Sequence, residues 1–177
     1  MSRLDTDVII NAAIQVRREG RPGEAEMLLR MRIAEGAMDP RLQWQLALAL
    51  LALRRFGEAW ELFDTRLVVY PPPPLPFPAW EGQDPAGRAI LVVGEPDLAA
   101  QTAFLPQVSR LAERGADVTF LCAPELVETA KGRGLRALAM VGTVEFPDPD
   151  GWLMQGSIPV RLGGDPGEAV FAWALQA

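Results

Sequence analysis

Histidine is absent from the 177 residues of this chain, and cysteine and lysine each occur once, as Cys122 and Lys131. Without histidine there is no side chain whose ordinary pKa suits general-base work near neutral pH, and the commonest nitrogen ligand for metals is missing. One cysteine cannot close an internal disulfide, and a thiolate zinc site would need more sulfur. Cys122 ends the apolar run Val118-Thr119-Phe120-Leu121, so it reads as a buried core residue, compatible with a cytoplasmic folding environment. Basic charge is also scarce. The net charge is −6 and the pI about 4.8, which argues against a nucleic-acid partner because no cationic excess remains to neutralise phosphates. The short basic pairs Arg17-Arg18 and Arg54-Arg55 stand among acidic residues and read as solvated helix faces. The opening MSRLDTDVII has no long apolar core behind a basic head, so the expectation is neither a signal peptide nor a membrane span.

What remains is an ordinary globular composition, 49% hydrophobic and 23% charged, enough for one sizeable domain or two small ones. The first half repeats itself. Gly23-Glu24-Ala25 recurs as Gly57-Glu58-Ala59, Arg21 as Arg55, Leu28-Leu29 as Leu62-Phe63 and Arg32 as Arg66, always 34 residues apart. That is the period of a helix-turn-helix repeat, in which a small alanine lets paired helices approach. The pattern predicts helices at about 6–18, 23–35, 40–53 and 57–69, with Pro22 and Pro40 at helix starts. Leu42, Leu46, Ala49, Leu50 and Leu53 form a core stripe on the third helix, with Trp44 to one side. The second unit is similar to tetratricopeptide repeats, because Leu46, Ala47, Phe56, Ala59, Phe63 and Pro71 fall at that family's spacing. About three repeats are normally needed for independent stability. Two should therefore lean on the rest of the chain or on a partner. Repeat helices can bind peptides, and the acidic balance would favour a basic one; simple internal packing is the plainer alternative.

Residues 71–80 read PPPPLPFPAW, an extended and stiff arm, since proline fixes φ and lacks a backbone donor. Two uses stay open. It could be a docking ligand for another protein's aromatic groove, or a clamp anchored by Leu75, Phe77 and Trp80. Beyond it, Ala89–Val93 is a continuous apolar run that reads as a buried parallel strand. A helix over 98–114 and a strand over 117–122 should follow, then a short helix opening at Pro124 and a third strand at about 136–141. VEFPDPD is a candidate short fourth strand. This is a βαβαβ unit. The turn between the first strand and its helix, Gly94-Glu95-Pro96-Asp97, is where such folds bind phosphates. The glycine fingerprint is absent there: only Gly94 is present, no lysine is near, and Glu95 and Asp97 would repel an anion.

The order of features resembles bacterial proteins that join tetratricopeptide repeats to a GT-B-type, heptosyltransferase-like glycosyltransferase domain. The marks are Phe63-Asp64-Thr65-Arg66, the proline arm, Trp80-Glu81-Gly82, Ala86-Gly87-Arg88 and Ile90-Leu91-Val92. After the strand, Glu95-Pro96-Asp97-Leu98-Ala99-Ala100-Gln101-Thr102-Ala103-Phe104 aligns without a gap to that family's Glu-Gln-Gly-Leu-Gly-Asp-Thr-Ile-Gln-Phe. Arg114-Gly115-Ala116, Pro124 with Leu126, and Gly156-Ser157-Ile158-Pro159 continue the likeness. Both glycines of the family turn are replaced, by Asp97 and Ala99, and the aspartate the family would place beside the acceptor sugar is Ala100. Alanine cannot take a proton. Asp97 stands three residues earlier, so its carboxylate would leave the turn in another direction. Only 18 residues follow Pro159, VRLGGDPGEAVFAWALQA, which is room for a turn and a helix at about 166–176. The expectation is that this chain carries no second, donor-binding domain.

The expected architecture is therefore α + α/β. Two tetratricopeptide-like hairpins (1–70) lead through a proline arm (71–88) to a small parallel-sheet, Rossmann-like half of a GT-B fold (89–177). The expected function is a non-catalytic adaptor or structural subunit, made in the cytoplasm, joining a protein partner or other copies of itself within a larger assembly and using no cofactor. Trp44, Phe77, Trp80, Trp152, Met154, Phe171 and Trp173 are the candidate interface residues. The alternative is a glycosyltransferase-like enzyme or sugar-nucleotide binder completed by a second chain. Glu95 and Asp97 would then be candidate catalytic residues, and Gln101 and Ser157 candidate cofactor-binding ones.

Overall fold

The computed structural model describes residues 3–177, with side chains from Asp5 onward. Helices come first: α1 (Arg3–Arg18), α2 (Pro22–Ala34), α3 (Pro40–Ala52), α4 (Phe56–Phe63) and α5 (Arg66–Val69). A four-stranded parallel sheet follows, β1 (Ala89–Val93), β2 (Asp117–Cys122), β3 (Arg136–Ala139) and β4 (Gly151–Met154). Helices α6 (Leu98–Glu113) and α7 (Val127–Gly132) connect its first strands, and α8 (Ile158–Leu162) and α9 (Glu168–Gln176) close the chain. The α + α/β expectation holds. The chain divides into two compact units: Pro73–Leu162 forms one, while Gly163–Ala177 joins the residues up to Pro72 in the other.

The 34-residue repeat is visible down to single hydrogen bonds. Gly20 N–H donates to Arg17 O and Arg21 N–H to Val16 O; 34 residues on, Arg54 N–H donates to Leu51 O and Arg55 N–H to Leu50 O. Each set is a Schellman motif, which satisfies carbonyls that a helix end would otherwise leave open. The motif needs a left-handed residue at its centre. The first copy uses Gly20 (φ 80°), and the second forces Arg54 into the same region (φ 59°). Ala25 and Ala59 are both fully buried where the hairpins close, Leu29 matches Phe63, and the guanidinium groups of Arg32 and Arg66 are both buried. Arg32 donates to Thr6 Oγ1 at 2.9 Å and to Glu35 Oε2 at 3.0 Å. Arg66 donates to Asp64 Oδ1 at 2.5 Å and lies 4.6 Å from the Phe63 ring centroid. Proline opens both α2 and α3, and Asp39 caps α3 by accepting from Arg41 N–H at 2.9 Å.

Several expectations change. The predicted helix over 57–69 breaks at Asp64-Thr65 into α4 and α5. Arg17 is not a solvated residue: it is 1% exposed and donates to Ala174 O in the last turn of α9, to Ala177 O just past it and, at 3.1 Å, to Gln45 Oε1. Burial, with the Arg18 charge alongside, lowers its pKa to about 10. The tail assigned to the sheet, 163–177, instead completes the helical unit, because Val170 and Ala174 are buried there and Trp173 meets Trp44 and Phe63. VEFPDPD is irregular, and the fourth strand is the next segment, Gly151–Met154. The repeated prolines and aspartates of VEFPDPD explain this, since proline cannot donate to a ladder.

Strand order is β3-β2-β1-β4, so the chain steps outward from β1 to β3 and then returns to the far side of β1. The outer edge of β4 is covered by the proline arm. Trp80 N–H donates to Trp152 O at 2.8 Å and Trp152 N–H to Pro78 O at 3.0 Å, pairing Ala79 with Trp152 in parallel. Trp80 is buried in the sheet's core with Ile90, Val92, Leu105, Val108, Phe120 and Leu153, while Leu75 and Phe77 are half-buried. A covered edge does not template pairing with other chains.

Cys122 lies fully buried in that core, and burial pushes its thiol pKa up. Two results are expected. An aromatic disulfide reagent should label it in urea and not in the native protein. The unfolded thiol ionises at about pH 8.5, so stability should be unaffected below that pH and decline as pH rises towards the folded pKa. Cys122→Ala should remove that part of the alkaline slope, as read by denaturation at pH 7 and 10.

Candidate functional site

In an open parallel sheet, ligands bind outside the carboxyl ends of strands at the point where chain direction across the sheet reverses. Here that point lies between β1 and β4. Val93 pairs with Met154, and the two loops that leave them are Gly94–Asp97 and the 3-10 turn Gln155–Ser157. The residues singled out from sequence converge on this spot, but they face one another.

Glu95 is 6% exposed, and its Oε1 accepts from Gly156 N–H at 2.8 Å, joining the loop after β1 to the turn after β4. Gln101, on the first turns of α6, reaches back under the loop. Its Nε2 donates to Glu95 O at 2.6 Å, and its Oε1 accepts from Ala123 N–H, just beyond β2, at 2.8 Å. Gln155 Nε2 then donates to Gln101 O at 2.9 Å, while its own Oε1 is buried without a hydrogen-bond partner. Three strand-end loops are thus tied by one carboxylate and two carboxamides. Gly94 makes the arrangement fit: a Cβ there would stand 2.7 Å from Gln101 Cδ. A Cβ so close would have to displace the Gln101 carboxamide from its two hydrogen bonds, so glycine is favoured here by close approach rather than by φ.

Asp97 is exposed and accepts from Ala100 N–H at 2.8 Å, which makes it the N-cap of α6. Ala100, whose N–H Asp97 caps, is buried and offers no polar side chain. Ser157 is 2% exposed within the 3-10 turn. Of the four candidate site residues, the fold gathers Glu95 and Gln101 into contact and places Ser157 beside Gly156. It turns Asp97 to helix capping. General acid–base chemistry requires a side chain within hydrogen-bond reach of a substrate proton. The polar groups of Glu95 and Gln101 are instead directed at backbone groups of this chain. Among the described residues, no group of three or more Cys, Asp or Glu side chains is placed to hold a metal ion. Sequence reasoning missed Gln155 and gave Gly156 no role of its own, although these are the partners that close the crevice. The available signal was a glutamine directly after the apolar strand Trp152-Leu153-Met154.

The candidate interface residues separate into two groups. Trp44 is buried, with its ring 5.2 Å from Phe63 and 6.2 Å from Trp173, and Phe171 lies 4.4 Å beneath the Arg54 guanidinium. The Phe77 ring meets that of Phe146 at a tilt with centroids 6.0 Å apart, Trp152 donates its indole N–H to Phe77 O at 3.0 Å, and Trp80 and Met154 are buried. These aromatics serve the two cores. The exposed apolar side chains are others, among them Met27, Met31, Met38 and Val8 in the helical unit and Leu98, Met140 and Val141 in the sheet unit.

Comparison with family models, with curated proteins and with solved structures finds no match for this chain. What stands is a set of helical hairpins followed by a small parallel α/β sheet. No helix among the described residues is long and apolar enough to cross a membrane.

Proposed function

We propose that this chain is a non-catalytic scaffold that acts through protein–protein contacts within a larger assembly, on a body related to tetratricopeptide repeats and half of a GT-B-type glycosyltransferase. One observation carries the reading. The crevice where such a sheet would hold a ligand is filled by the chain's own Glu95, Gln101 and Gln155. A carboxylate already bonded to the Gly156 N–H stands where an incoming phosphate would need room and positive potential, and its charge opposes one. Ala100 adds no base in place of the family's aspartate. Catalysis depends on holding reactants in a prepared site, and here the prepared contacts are internal.

The test has two arms. Calorimetric titration of the full chain with UDP-glucose, GDP-mannose and an ADP-sugar is expected to give no binding heat. Saturable binding at micromolar concentration would overturn the proposal. The chain purified from its native source should be recovered at fixed stoichiometry with other protein, whereas recovery as a monomer alone would count against it.

A further inference from the structure

The helical unit is completed by a segment that arrives after the whole sheet unit, and that segment is gripped at both ends. Val170 and Ala174 of α9 are fully buried, and the structure packs α9 against α3 and α1. At the far end Arg17 donates to Ala174 O and Ala177 O, and Arg18 Nε donates to Gln176 O at 2.9 Å. These bonds satisfy last-turn carbonyls, and cations there complement the helix dipole. At the near end Arg54 pairs with Glu168 Oε2 at 2.6 Å and covers the Phe171 ring, while Trp60 Nε1 donates to Gly164 O at 3.1 Å. The face thus reads a helix of defined direction, with an indole at one position and open carbonyls at its end.

On its own α9 is a weak helix. It has nine residues, fewer than the roughly 12–15 an isolated helix needs in water, and its N-cap, Gly167, supplies no capping side chain. It is helical because it is docked. The tether before it, Gly163-Gly164-Asp165-Pro166-Gly167, contains neither helix nor strand, and its three glycines all adopt positive φ.

We propose that the α1–α3 face is a helix-binding site whose occupant, α9, is exchanged between two copies of this chain. The occupant is a second copy because the grip is matched to this helix in direction, aromatic anchor and carbonyl end, and another copy supplies the same features. Exchange preserves the contacts made by α9 itself and changes the path of the tether, with the Trp60–Gly164 bond the one contact that lies on it, which is what makes swapped dimers accessible at low cost. At low concentration the tethered α9 wins by its effective concentration, of the order of millimolar for a short flexible link. Dimer therefore grows with chain concentration. The inference is independent of whether the sheet crevice binds any ligand.

Complementation tests it on full-length protein. Val170→Asp spoils the helix and leaves the face intact, while Arg17→Ala spoils the face and leaves the helix intact. The two variants, carrying different tags, are mixed at about 1 mM, diluted, and read by light scattering and native mass spectrometry. The expected result is a heterodimer at least tenfold more abundant than the homodimer of either variant, and a wild-type dimer whose fraction rises with concentration. A mixture that equals the sum of its parts would overturn the proposal, as would Val170→Asp dimerising as readily as wild type. Should either variant fail to fold, Trp173→Ala paired with Arg54→Ala gives the same two outcomes.

Discussion

Gln101→Ala is expected to destabilise the sheet unit by about 2–4 kcal/mol, a large part of the total stability of an ordinary domain. The truncation removes two hydrogen bonds at once and leaves Glu95 O buried and Ala123 N–H part-buried with those partners gone. A buried orphan costs about 1–3 kcal/mol because water cannot replace the lost partner, and the part-buried N–H adds less. Gly94→Ala should do similar damage by the opposite route, since its new Cβ would meet Gln101 Cδ at 2.7 Å and push the carboxamide out of its bonds. The pair is therefore expected to couple. Once Gln101 has been shortened, the three atoms nearest to the new Cβ of Gly94→Ala are gone, so the double variant should be only slightly worse than Gln101→Ala alone. Hydrogen exchange across residues 89–123, together with urea denaturation, reads the effect. Additive losses, or a harmless Gln101→Ala, would mean that the carboxamide does not hold the three loops together.

That network also marks the boundary of what the sequence made legible. The helical repeat was readable because its constraints are local. Closely packed hairpins need alanine at the contact, a helix start after Arg21 and Arg55, and an apolar residue at Leu29 and Phe63, and all of these recur at one spacing. The first three strands were readable for a similar reason, as apolar runs bounded by glycine and proline. The turn at Gly94 was locatable, but its occupancy was not, because Glu95 and Gly156 are 61 residues apart and meet only through sheet order. The same holds for Arg17, whose partners lie 157 and 160 residues away on α9. In its local context Arg17 looks like half of a solvated basic pair. Trp152 and Met154, candidate interface residues from sequence, lie in β4, because burial of a strand depends on the neighbour it pairs with, here β1. Local patterns reveal elements; the polar contacts that close a site are set by topology.

Phe63→Ala should cost the helical unit about 3–5 kcal/mol, the upper range for a large-to-small core change. Phe63 is 1% exposed and stands among three indoles, with ring centroids 5.2 Å from Trp44, 5.3 Å from Trp60 and 6.4 Å from Trp173. The contacts with Trp44 and Trp60 are edge-to-face, a geometry that adds about 0.5–1.5 kcal/mol per pair beyond the area buried. Its ring also lies under the buried Arg66 guanidinium. Truncation therefore removes volume, aromatic contacts and the support of a buried cation together. Phe63→Leu is the informative comparison, because the first hairpin carries Leu29 at the equivalent place and packs with it fully buried. Leucine refills most of the volume, so its cost should fall to about 1–2 kcal/mol, the part owed to the ring. Three of the five tryptophans report on this cluster, and their emission should shift to the red in Phe63→Ala and much less in Phe63→Leu. Equal losses for the two variants would show that the ring, and not the space it fills, holds α9 against the repeat helices. A loss below 1 kcal/mol for alanine would show that the indoles close the gap without it.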